Sequence, residues 1–333
     1  MNVVMIIPTG IRCEIGGHAG DATPAARLLG SVCDKLFLHP NVVNASDVNE
    51  MPENALYIEG SILDRFLEGK IELKEVKQNK ILVVVNKPAL PETINAVSST
   101  RATLGIDAEI IELKTQLRLI GHLDKKGASG LVIGDNELVE QVSNYTFDAL
   151  AITSIIEVSK KTSMDYYQQG GINPWGGVEA IASRRVADKI NKPTAHAPIQ
   201  TEEDKEADKE GEWDFIVDPR IAPEIISKCY LHCVLKGLHK APRIGKGLSV
   251  DDIDVMVSPY GCWGRPHKAC EKAGIPIIVV TENKTICDHP YGHCNPVWSK
   301  NYLEAAGVIA AMGAGITLSS VRRPLEYTKV LNV

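Results

Sequence analysis

Ile253-Asp254-Val255-Met256-Val257-Ser258-Pro259-Tyr260-Gly261-Cys262 leads, through a helical stretch that contains Cys270 and ends at Gly274, into Ile275-Pro276-Ile277-Ile278-Val279-Val280. The second run is apolar at nearly every position, the mark of a strand buried on both faces of a parallel sheet. Runs of the same kind recur at residues 3–8, 35–39, 55–58, 81–85, 109–113, 131–133, 149–153 and 215–217, with helical stretches between them. Strands alternating with helices predict an α/β fold: mostly parallel, Rossmann-like sheets flanked by helices. Asn173-Pro174-Trp175-Gly176-Gly177 opens a helix over 178–190 that stops before Pro193, and residues 223–240 and 302–312 read as two more. Gly121-His122-Leu123-Asp124-Lys125-Lys126-Gly127 interrupts the apolar pattern and suggests a seam between two lobes, 1–125 and 126–333, around a cleft.

The chain has 333 residues, 44% of them hydrophobic, enough for a large core. A net charge of −6, no basic run and only 5% aromatics argue against a nucleic-acid surface and favour a small metabolite as partner, with a homo-oligomer possible. No stretch reads as a signal peptide or a membrane span, which predicts a cytosolic protein. Its eight cysteines are then expected to be reduced, available as nucleophiles, ligands or core fillers. The polar run 201–212 reads as an exposed excursion or lid.

Two segments near opposite ends share one design. Ile6-Ile7-Pro8-Thr9-Gly10 runs into Cys13 and then His18, while Val257-Ser258-Pro259-Tyr260-Gly261 runs into Cys262 and then His267. Loops at the carboxyl ends of parallel strands are where α/β proteins place reactive groups. In the first loop Gly16, Gly17, His18, Asp21 and Thr23 form a glycine-softened helix start, which suits an anion. In the second, Cys262 lies near Arg265, His267 and a helix N-terminus, an environment expected to lower a thiol pKa. Glu282 and Asn283 come after the last buried strand, and Asn41 and Asn44 after the second, so all four are expected to line the site. Cys287-Asp288-His289-Pro290-Tyr291-Gly292-His293-Cys294 offers His289 and His293 as ligands for zinc or another divalent metal.

The segments Gly16–Ala25, His39–Asp47 and Ser258–His267 resemble a family of microbial and plant proteins catalogued only as a domain of unknown function. That resemblance implies one architecture over nearly the whole chain and carries no reaction. In arrangement, Cys13 and Cys262 also resemble the cysteine pair of the cofactor-independent aspartate/glutamate racemases. The likeness implies two thiols acting as bases on opposite faces of a Cα–H. Glu14-Ile15-Gly16 comes after Cys13 and Trp263 after Cys262, where that family carries Asn-Ser/Thr and Thr.

The expectation is an enzyme acting without a cofactor on a small, polar, anionic metabolite. Cys262 is expected as nucleophile or base, His267 as its proton partner and Cys13 serving the opposite face, for isomerisation, racemisation or hydrolysis. A metal-dependent hydrolase or lyase using His18, Asp21, His289 or His293 with Glu282 as catalytic base, and a non-catalytic metabolite sensor, are the alternatives.

Overall fold

The computed structural model describes residues 1–18, 20–43, 51–200, 216–226, 229–287, 289 and 295–331. Its strands are β1 (Asn2–Met5), β2 (Lys35–Leu38), β3 (Ala55–Tyr57), β4 (Leu73–Lys74), β5 (Lys80–Asn86), β6 (Asp107–Leu113), β7 (Arg118–Asp124), β8 (Gly127–Ile133), β9 (Ala149–Glu157), β10 (Thr194–Ile199), β11 (Arg243–Ile244), β12 (Val255–Tyr260), β13 (Ile277–Lys284) and β14 (Val297–Ser299). The helices are α1 (Thr23–Gly30), α2 (Pro40–Val43), α3 (Gly60–Leu67), α4 (Pro91–Leu104), α5 (Asp135–Val142), α6 (Lys160–Gln169), α7 (Gly176–Ile190), α8 (Ala222–Ile226), α9 (Tyr230–His239), α10 (Arg265–Ala273) and α11 (Tyr302–Gly313).

The first sheet is wholly parallel, in the order β14-β13-β12-β1-β2-β3. Counted along the chain its six strands lie 3-2-1-4-5-6, the doubly wound order, and the direction of winding reverses between β1 and β12. Both faces are covered, which is why the central residues of these strands are almost all apolar. Val3 and Met5 face Ala26 and Leu29 of α1 and Ala305 and Ile309 of α11, whereas Val4 and Phe37 face Ile62 and Phe66 of α3 and Cys270 of α10. Phe37 and Phe66 stack with ring centroids 5.6 Å apart, each side chain contributing about 1.5–3 kcal/mol by burial.

The second sheet runs β6-β5-β9-β7-β8, with β10 also paired to β9. β5, β6, β9 and β10 are parallel, and α7 covers one face by setting Val178, Ala182 and Val186 against Leu150 and Ile152. β7 and β8 form an antiparallel hairpin from Arg118↔Ile133 to Asp124↔Gly127. Residues 120–130, expected as a seam, are therefore paired strand and turn. They break the apolar pattern because one strand face is exposed, and the turn is closed by Gly127 at φ +131°. The expected boundary at 125/126 falls in that turn, and the first sheet draws strands from both ends of the chain.

Two other expectations change in detail. Residues 216 and 217, expected within a strand, have no regular structure, and residue 215 lies outside the described residues. The helix expected over 223–240 is divided into α8 and α9, with Cys229 at the N-cap of α9 and Cys233 buried in its core face. The polar run 201–212 also lies outside the described residues.

Candidate functional site

A cavity of about 330 Å³ opens at the carboxyl ends of β1, β2, β3 and β12, in the size range of small-ligand sites. Gly17 and His18 of the first Cys/His loop and Cys262 and His267 of the second line it together, beside the switch point of the first sheet. Glu179 of α7 and His196 of β10 add residues of the second sheet and its helix. The sheets approach closely here. Ala128 N–H donates to Gly10 O at 2.7 Å, and a Cβ on Gly177 would stand 2.3 Å from Ala128 O, so only glycine fits the start of α7.

Ser258 inside β12 and Cys262 just beyond its end meet each other and one imidazole. Ser258 Oγ lies 2.6 Å from His267 Nε2 and 3.2 Å from Cys262 Sγ, and Cys262 Sγ is 4.0 Å from His267 Nε2. The tautomer is set by the backbone: Gly264 N–H donates to His267 Nδ1 at 3.1 Å, so a neutral ring carries its proton on Nε2 and donates to Ser258. Burial holds His267 near a pKa of about 4, and pushes the Cys262 thiol up to about 11 against the opposing hydrogen bond from Ser258. Cys262 is thus a protonated thiol at neutral pH. The expected lowering is absent because Cys262 is only 6% exposed and Arg265 turns away, bonding Glu68 at 2.5 and 2.8 Å and approaching Asp64 to 3.6 Å.

The first loop presents a second imidazole in a different state. His18 Nδ1 lies 2.6 Å from Tyr166 Oη, which donates to the Glu224 carboxyl at 3.0 and 3.1 Å, and Asn173 Nδ2 donates to the same group at 3.1 Å. With the phenol proton given to Glu224, His18 Nδ1–H is the donor to Tyr166, leaving an Nε2 lone pair without a partner among the described residues. Burial lowers the His18 pKa to about 4, helped by Arg220, so the ring is neutral.

The remaining expected residues divide sharply. Asp21 takes the backbone N–H groups of His18 and Gly16, and burial lifts its pKa to about 7. Those loop donors are therefore occupied by the chain's own carboxyl and not left for an outside anion. Gly16 sits at φ +86°. Thr23 starts α1 without capping it. Asn41 lines the cavity and donates to Pro8 O and Gly16 O, fixing the first loop. Asn283 is buried, accepts from Ile15 N–H at 2.9 Å and donates to Ile15 O and Tyr302 Oη at 2.8 Å, a clamp between β13 and the first loop.

Cys13 is 1% exposed and is not among the residues lining the cavity, although its thiol is raised first by burial and then by nearby Cys262. Glu282 is exposed on β13, and His289 is exposed, with its backbone N–H on Gly261 O. Neither lines the cavity. Asn44 and His293 lie outside the described residues. No group of three metal-ligating side chains gathers among the described residues.

Sequence reasoning missed Ser258, Tyr57, Glu59, Tyr166, Glu179 and Glu224. Ser258 alone left a signal, a polar residue inside an otherwise apolar strand. The others come from distant segments and meet only in the fold.

No helix among the described residues is long and apolar enough to cross a membrane. No solved structure matches the chain. An uncharacterized lipoprotein of a Synechococcus species is 32% identical over 350 residues, covering 97% of this chain and 95% of that protein. The sequence profile of the family described as "Protein of unknown function (DUF3326)" matches residues 2–322, and the chain belongs to that family.

Proposed function

We propose that the cavity is the active site of an isomerase- or racemase-type enzyme that relocates a proton on a small polar metabolite, with His18 as base and Cys262 as acid. One observation carries the reading: a neutral imidazole with an open Nε2 lone pair and a protonated thiol line the same cavity at the sheet's switch point. His18 Nε2 takes a proton from substrate carbon while Cys262 gives its S–H proton to another substrate atom. The thiolate left behind is stabilised by the Ser258 hydroxyl, itself held by His267 Nε2–H. Tyr166 and Glu224 stabilise the imidazolium that forms on His18. Exchange with water restores both groups.

This assignment moves the base from Cys262 to His18, because a buried thiol with a pKa of about 11 holds its proton. It also gives Cys13 no contact with substrate. The test is incubation of the purified protein with a metabolite extract in deuterated water. Deuterium entering a carbon position of one metabolite, abolished by His18→Gln and by Cys262→Ser, is the expected result; no incorporation in any metabolite sinks the reading.

A cytosolic location belongs to the same proposal. The Synechococcus relative bears the name lipoprotein. In this chain the apolar run before the first cysteine is β1, a central strand, and Cys13 is buried. That geometry speaks against a lipid on Cys13, and mass spectrometry of the protein from its native membrane and soluble fractions tests it.

A further inference from the structure

The wall of the cavity formed by the end of β3, α3 and α7 carries Tyr57, Glu59, Asp64, Glu179 and Arg184. Asp64 is matched, since Arg184 and Arg265 stand 3.7 and 3.6 Å from it, and Arg184 is shared further with Asp188. The two glutamates have no arginine or lysine partner among the described residues. Glu59 caps α3 through Oε2, which accepts from Ser61 N–H, Ser61 Oγ and Ile62 N–H at 2.5–3.1 Å, and its Oε1 makes no hydrogen bond among the described residues. Glu179 meets His196 Nδ1 at 3.0 Å through Oε1, and His196 Nε2 is pinned 2.9 Å from Ser154 Oγ. Its second oxygen has no described partner.

Tyr57 supplies the independent sign of a ligand. It is 3% exposed, it lines the cavity, and its buried hydroxyl has no hydrogen-bond partner among the described residues. A buried polar group left unpaired costs about 1–3 kcal/mol, so its partner is sought in the molecule that the cavity binds. Glu179 and Glu59 are the charged groups that act most on this hydroxyl. Three acceptor-capable oxygens, two of them on carboxyls, disfavour an anion on a wall whose lining guanidinium, Arg184, stands between Asp64 and Asp188. They suit an ammonium, which has three N–H donors and one positive charge.

We infer that the ligand of this cavity is an amine, whose ammonium group docks against Tyr57, Glu59 and Glu179. The place of its reacting carbon, toward His18 and Cys262, rests on the acid–base reading above; the docking of the amine does not. The substrate class is thereby a small amine-bearing metabolite.

The experiment is calorimetric titration of the full chain with 1,4-diaminobutane and ethanolamine as probes, with succinate and glycolate as controls. The amines are expected to bind, the acids not, and Glu179→Gln and Tyr57→Phe each to weaken amine binding tenfold or more. Because the Tyr57 hydroxyl breaks no bond on removal, Tyr57→Phe is expected to fold as the parent does. Preference for the acids, absence of amine binding at millimolar concentration, or unchanged binding in both variants overturns the inference. The two readings have separate readouts, heat of binding for the amine and deuterium exchange for the proton transfer. Amine binding without deuterium exchange therefore removes the catalytic reading alone, and exchange without amine binding removes this one alone.

Discussion

At the scale of single residues, protonation state decides what the site can do. A base works above its pKa and an acid below it, so His18 at about 4 and Cys262 at about 11 predict a rate that is flat across the neutral range and falls only toward these limits. A thiolate nucleophile would instead give a rate that rises through the pKa of its thiol, and a pH–rate profile separates the two. Ser258→Ala removes the hydroxyl that receives the thiolate charge, and is expected to lower turnover by about 10²-fold with little change in KM. Asp21 provides a stability test. Its folded pKa of about 7 exceeds the ordinary carboxyl value, so the folded state binds the extra proton and stability falls as pH rises from about 4 to about 7. Asp21→Asn should therefore raise Tm by roughly 2–4 °C at pH 8 and change it little at pH 4, read by thermal unfolding at both.

At the scale of elements, the loops after β1 and β13 are fastened to each other and not only to their own strands. The Asn283 side chain joins β13 to the Ile15 backbone by two hydrogen bonds and to the Tyr302 hydroxyl by a third. Replacing it with Leu leaves the half-buried Ile15 N–H and C=O and the buried Tyr302 hydroxyl without this partner, a loss of about 2–4 kcal/mol that a urea titration measures. The start of α7 is fixed by contact as well as by Asn173, whose Oδ1 accepts from Trp175 N–H and Gly176 N–H at 3.0 Å. Gly177→Ala places a methyl 2.3 Å from Ala128 O and is expected to drive α7 off the hairpin, carrying Glu179 out of the cavity. Amine binding should then fall along with stability.

At the scale of the whole molecule, the first sheet closes only when β12–β14 pair beside β1, about 250 residues from it along the chain. A fragment of residues 1–125 lacks those strands, and also lacks β8 and β9, the partners of β7. It is expected to be unfolded by circular dichroism and proteolysis; a cooperatively folded fragment would contradict the pairing. The same long-range closure brings His18 and Cys262 to one cavity, so the site exists only in the complete sheet.

The sequence determined by itself that this is an α/β protein, because strands buried on two faces must be apolar at successive positions. It also located the two Cys/His loops, since a strand that ends in Pro-x-Gly presents its next residues at the sheet's carboxyl edge. Tertiary structure alone decided the chemistry of those loops. Arg265 met Glu68 instead of the thiol, Asp21 filled its own loop, and burial kept Cys262 protonated. The hairpin at 118–133 was hidden by its exposed face, whose polar residues read as an interruption. Tyr57 and Glu59, Tyr166, and Glu179 come from three separate segments, and no local pattern records their meeting. Their roles depend on solvent exclusion and on neighbours supplied by other strands, quantities that have no local signature in a chain.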